Sequence, residues 1–139
     1  MKYTFTIPGN PIPLARARIN TKAFWDSNKK RMWDPQKELK LVTAITLQNQ
    51  YEKIDPFSGP VHIDVIFYMP IPQSKSKIKQ KELDGAYHCS RPDVSNLLKF
   101  IEDASQGVLY QDDCIIASVN IKKVYDQQPR TVFTIESLL

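Results

Sequence analysis

Between Arg91 and Asp113 the chain spaces side chains that can do phosphodiester chemistry: Asp93, Asn96, Lys99 and Asp103, then, after Gln106-Gly107, the acidic pair Asp112-Asp113. Mg²⁺ takes oxygen ligands and needs only one or two carboxylates beside waters and substrate phosphates. Two carboxylates from separate elements, Asp93 and Asp113, suffice in principle. A lysine one turn into the intervening helix can stabilise charge on a phosphate or a leaving oxygen. The pattern points to Mg²⁺-dependent cleavage of a phosphodiester.

Those residues need elements to hold them. Pro92 disfavours helical geometry in Arg91, Asp93 suits an N-cap, and Val94, Leu97, Leu98 and Ile101 recur at helical spacing, so a helix is predicted from about Val94. Gly107 ends it, because glycine takes the left-handed C′ conformation without a Cβ penalty. Asn96, Lys99 and Asp103 share a face away from the leucines. Ile115, Ala117, Val119 and Ile121 then alternate with Ile116, Ser118, Asn120 and Lys122, which predicts a strand. A strand that follows a helix after so short a turn packs against it and brings Asp113 toward Asp93. Singly these residues have blander uses: Asp93 as a cap, Asp112-Asp113 as a solvated turn, Lys99 as a surface charge. Their combination favours chemistry.

The combination resembles the RusA family of Holliday junction resolvases, in which a helix opens with Asp-x-Asp-Asn-x-x-Lys and a Gly-containing turn leads to an Asp-Asp pair. Here the stretches read Asp93-Val94-Ser95-Asn96-Leu97-Leu98-Lys99 and Asp112-Asp113. The likeness continues through Asp103, through Lys123-Val124-Tyr125 and Pro129, and back to Phe5-Thr6-Ile7-Pro8-Gly9-Asn10-Pro11-Ile12-Pro13 with Arg16 and Arg18. It implies that Asp93 and Asp113 bind Mg²⁺, with Asp112 and Ser95 beside them, and that Lys99 is the catalytic lysine. It further implies branched DNA as substrate and a homodimer as the working form. Ser95 departs from the pattern: the family has a carboxylate there, and an uncharged hydroxyl is a much poorer Mg²⁺ ligand.

Composition agrees with a small DNA enzyme. At 139 residues, 42% of them hydrophobic, one domain spanning 1–139 with its own core is expected. No apolar run approaches a membrane span and the first residues lack the apolar stretch of a signal peptide, so the expectation is a cytoplasmic protein. Cys89 and Cys114 have no metal-type spacing, and Cys114 reads as a buried strand residue. A net charge of +4 is only mildly basic, so placement matters more than the sum. Arg16, Arg18, Lys22, Lys29, Lys30 and Arg31 fall in one aperiodic segment, and Lys75, Lys77, Lys79 and Lys81 alternate through another. Basic segments flanking an acidic centre suit a nuclease, which must hold a polyanion while keeping its metal site negative. The candidate DNA contacts are Arg16, Arg18, Lys75, Lys77, Lys79, Lys81, His88, Arg91 and Asn96. Solvated loops are the plainer use of the same charges.

Along the rest of the chain, Tyr3 to Ile7 alternates as a strand that the proline-rich Pro8 to Pro13 stops. Residues 14 to 33 read as a long loop or ribbon holding Phe24, Trp25 and Trp33. Asp34-Pro35 starts a helix whose apolar stripe is Leu41, Ala44, Ile45 and Gln48. Val61 to Met69 is a long alternating strand, with His62 a plain face residue. Ser74 caps a short helix through Leu83, and a last strand runs from about Thr131 to Glu136. The fold expected is α+β, a mixed sheet with helices packed on it. Two rivals to the nuclease remain: a junction-binding protein that cuts weakly or not at all because of Ser95, and a basic scaffold with incidental acidic caps.

Overall fold

Residues 1–15, 18–19, 32–51 and 55–139 are described by the computed structural model. The elements are β1 (Lys2–Pro8), β2 (Arg18–Ile19), β3 (Met32–Trp33), α1 (Lys37–Gln50), β4 (Val61–Pro70), α2 (Lys77–Leu83), α3 (Val94–Ser105), β5 (Ile116–Asp126) and β6 (Arg130–Ser137). The sheet order β1-β6-β4-β5 pairs β1 with β6 and β6 with β4 antiparallel, and β4 with β5 parallel. This is the α+β mixed sheet that the sequence predicts. A parallel pair needs a crossover, and here the crossover carries both α2 and α3.

Alternation decides the faces. Val61, Ile63, Val65, Phe67 and Met69 are all buried on one face of β4, joined by Phe5, Phe133 and Ile135 of the neighbouring strands. Leu97, Phe100, Ile101 and Ala104 of α3 complete this core, each large side chain contributing about 1.5–3 kcal/mol of burial. On the opposite face, His62 bonds Ser118 through Nδ1 at 2.8 Å and lies 3.2 Å from the Asp64 carboxylate, a cross-strand polar row.

α1 is where the sequence misleads. Leu41 and Ile45 are 60% and 52% exposed; the buried positions are Thr43 and Leu47, with Gln36 and Tyr51 at the two ends. Two glutamines set this rotation. Gln36 accepts from the Ala15 amide at 2.7 Å and donates to the Pro13 carbonyl at 2.8 Å, while Gln50 accepts from the Thr6 amide at 3.0 Å and donates back to its carbonyl at 2.8 Å. Apolar periodicity does not register such polar docking. The helix also starts later than predicted, because Asp34 accepts from the Gln36 amide in a turn ahead of it. In α2 the cap is Ser76, not Ser74: its hydroxyl accepts from the Lys79 amide at 3.2 Å. β5 continues to Asp126, and Cys114 is exposed in a 3₁₀ turn before the strand rather than buried within it.

Candidate active site

The turn that carries Asp113 is built from the end of α3. Gly107 takes φ +88°, the left-handed conformation expected at C′, and its amide bonds the Tyr110 carbonyl at 2.7 Å. Tyr110 is fully buried and donates its hydroxyl proton to the Glu102 carbonyl at 2.8 Å, fastening the turn against the helix. Asp112 accepts from the Cys114 amide at 3.0 Å, and that bond holds its carboxyl below the usual carboxylate range. Asp112 is therefore engaged in shaping the turn that presents Asp113.

Asp113 meets Lys99. The ammonium lies 3.2 Å from Asp113 Oδ2, 3.7 Å from Glu102 Oε2 and 3.9 Å from Asp103 Oδ1. The bond to Asp113 raises the Lys99 pKa above its ordinary value, with partial burial opposing it. Lys99 is thus a fixed positive charge, half exposed and reachable by a phosphate. Burial pushes the Glu102 carboxyl up, and Lys99 pulls it back. Asp103 in turn lies 3.7 Å from Lys40 of α1, which bonds Asp34 at 2.8 Å. The predicted face of Asn96, Lys99 and Asp103 does bring Lys99 and Asp103 together. Glu102 and Lys40 join them unpredicted; the signal for Glu102 was its place one turn beyond Lys99, and nothing local marked Lys40.

Asp93 stands at the mouth of α3. Its carbonyl accepts the first helical bond, from Leu97 at 3.2 Å, yet its side chain makes no capping bond. Asp93 holds the predicted N-cap position without the side-chain cap, and among the described residues its carboxylate has neither a hydrogen-bond nor an ion-pair partner. Ser95 and Asn96 are exposed just inside the helix, and the Asn96 carbonyl accepts from the Leu14 amide at 3.0 Å. Arg91 is exposed before the helix. His88 packs its ring 4.7 Å from that of Tyr125, and burial, then Lys123, lowers its pKa.

The lysine segment is not uniform. Lys77 and Lys81, one turn apart on α2, line a cleft of about 550 Å³ with Ile71, Gln73, Gln80 and Gln127. Lys79 instead faces Glu82 at 3.5 Å, and Lys75 is exposed ahead of the helix. Arg16, Phe24 and Trp25 lie outside the described residues, as do the side chains of Arg18 and Trp33; the backbone of Arg18–Ile19 pairs with Met32–Trp33.

The sequence profile described as endodeoxyribonuclease RusA matches residues 8–136, nearly the whole chain. The chain belongs to the RusA family. A similar protein is the uncharacterized protein YqaN of Bacillus subtilis (strain 168), 32% identical over 133 residues that cover 91% of this chain and 89% of that one. As a RusA-family protein the chain is an endodeoxyribonuclease, and membership implies Holliday junction nuclease activity. Such nucleases generally depend on a divalent metal. In donor type Asp93 and Asp113 fit one, being carboxylates, and the surroundings of Asp113 are net negative: Asp34, Glu102, Asp103 and Asp113, linked through Lys40 and Lys99, carry two more negative than positive charges when all are ionised. Among the described residues no three acidic, His or Cys side chains form a ready-made cage. Among the described residues no helix is long and apolar enough to cross a membrane.

Proposed function

We propose that this chain is a cytoplasmic, Mg²⁺-dependent, structure-selective endonuclease that resolves four-way DNA junctions in recombination and repair by paired symmetric nicks. The observation that carries this reading is the pairing of Lys99 with Asp113 across the helix–turn–strand unit, on the helix that Asp93 opens with a carboxylate that has no partner among the described residues. Asp93 and Asp113 would hold the ion, with Asp112 and Ser95 adjacent. The chemistry a bound Mg²⁺ supplies is Lewis-acid charge at the scissile phosphate and a lowered pKa for water there. Lys99, kept protonated by Asp113, supplies a positive charge where negative charge develops rather than accepting a proton. Lys77 and Lys81, which share the cleft at the far end of β5 from Asp113, hold backbone phosphates away from the centre, with Lys75, Lys79, His88, Arg91, Asn96, Arg16 and Arg18 as further contacts.

A two-fold junction requires two symmetric sites, so the working form is a homodimer. Leu41, Val42 and Ile45, exposed together on α1, offer an apolar surface of the kind that such pairing buries. A second reading, a junction binder with weak cleavage, is favoured by Ser95, whose hydroxyl replaces a charged ligand. The two separate in one experiment. Asp93→Asn and Asp113→Asn should each abolish cleavage of a four-way junction while gel-shift affinity persists, because each removes a metal-binding charge and no basic contact. Normal cutting by either variant overturns the metal assignment; a wild type that shifts junctions without cutting them in Mg²⁺ establishes the binder.

A further inference from the structure

Lys123 stands on the wrong side of its strand for a lysine. It pairs in register with Phe67, whose side chain is buried in the core, so its own side chain projects to the helical face of the sheet. A charge placed there must be hydrogen-bonded. Its ammonium donates to the Ser90 carbonyl and to the Pro92 carbonyl, both at 2.7 Å. Both acceptors lie in the short segment that enters α3, and Pro92 is the residue before Asp93. A cation near a helix N-terminus opposes the helix dipole, so helix stability does not account for this placement.

The neighbouring backbone shows what the lysine fastens. Gly85 and His88 donate to the carbonyls of Tyr125 and Lys123 at 2.9 and 3.0 Å, and Tyr125 donates to Ala86 at 2.9 Å, so residues 85–88 lie along the outer edge of β5. Beyond His88 those backbone bonds to β5 cease, and the two Lys123 bonds hold the chain from Ser90 to Pro92. An aspartate at an N-cap ordinarily fixes the helix start by accepting an amide hydrogen with its own carboxylate. At Asp93 that bond is absent.

We propose that Lys123 is a positioning residue of the nuclease site: by clamping the carbonyls of Ser90 and Pro92 it anchors the entry to α3, which leaves the Asp93 carboxylate free for the divalent ion. The inference rests on the reading of Asp93 as a metal-binding residue. Lys123 acts through the backbone of Ser90 and Pro92.

The test compares wild type with Lys123→Met, which keeps the aliphatic stem, Lys123→Arg, which keeps charged donors, and Asp93→Asn. Mn²⁺ binding is followed by electron paramagnetic resonance in the absence of DNA, and kcat and KM are measured on a four-way junction. Lys123→Met should weaken Mn²⁺ binding and lower kcat by about tenfold or more, the size of effect seen when the support behind a metal ligand is removed. KM should hold, and Lys123→Arg should recover most of both losses. A folded Lys123→Met with wild-type Mn²⁺ affinity and kcat, alongside an impaired Asp93→Asn, overturns the clamp alone. Wild-type behaviour of Asp93→Asn overturns the reading beneath it. Should Lys123→Met fail to fold, Lys123→Gln, uncharged and with its donor one bond too short to span both carbonyls, takes its place: weakened Mn²⁺ binding supports the clamp and wild-type binding overturns it.

Discussion

Ser95 is exposed in the first turn of α3, two residues beyond Asp93, whose carboxylate has no partner among the described residues. A carboxylate introduced there would sit beside Asp93 without displacing a buried group. Ser95→Asp should therefore lower the Mg²⁺ concentration needed for half-maximal cleavage and raise the rate, with one added charged ligand contributing about 2 kcal/mol at the transition state. Asp112 is the competing source of a third charge, but its Oδ1 is bonded to the Cys114 amide. Asp112→Asn keeps a side-chain oxygen for that amide while removing the charge, and should cost less than Asp113→Asn. Cleavage across a Mg²⁺ titration checks both expectations. A Ser95→Asp variant no faster than wild type, together with an inactive Asp112→Asn, would show a rearranged but complete site. The motif spacing made the contact of Lys99 with Asp113 legible because a helix, a glycine stop and a strand leave few ways to arrange them. Lys40 was not legible, since its place arises from a contact that local periodicity does not encode; Glu102 was marked only by its spacing from Lys99, and Lys123 by the family likeness without a role.

At the scale of elements, the turn after α3 sets where Asp113 stands. Nothing lies within 4 Å of a Cβ added at Gly107, so the cost of Gly107→Ala is conformational, about 1–2 kcal/mol for a non-glycine residue at positive φ. Urea denaturation should show that loss, and Gly107→Asn, which tolerates the left-handed region better, should lose less. On α2 the lysines divide by face. Neutralising Lys77 and Lys81, which share the cleft, should weaken junction binding and flatten the plot of log affinity against log salt by nearly one unit of slope for each phosphate left without its lysine. Neutralising Lys75 and Lys79 should do so less, because Lys79 already faces Glu82. Equal slopes for the two pairs would return the segment to a diffuse basic surface. The long strand β4 and the amphipathic α3 were plain in the sequence, each having one apolar stripe. α1 was not: Leu41, Val42 and Ile45 lie on a face that the glutamine bonds at its two ends turn outward, and Thr43 occupies the core with its hydroxyl donating to the Leu39 carbonyl at 2.9 Å.

For the whole molecule, a modest net charge of +4 coexists with a linked acidic network and basic residues set apart from it. A polyanion can be held by the lysines while its scissile phosphate meets the negative centre through a divalent ion. Two such centres related by a two-fold axis would cut both strands of a junction at equivalent positions. The most direct measurement is cleavage of a four-way junction labelled on each strand in turn, with and without Mg²⁺, beside a linear duplex of the same sequence. The account predicts paired nicks at symmetric positions only when Mg²⁺ is present, with the linear duplex left intact. Equal cutting of junction and duplex, or symmetric nicking that persists in EDTA, would contradict it.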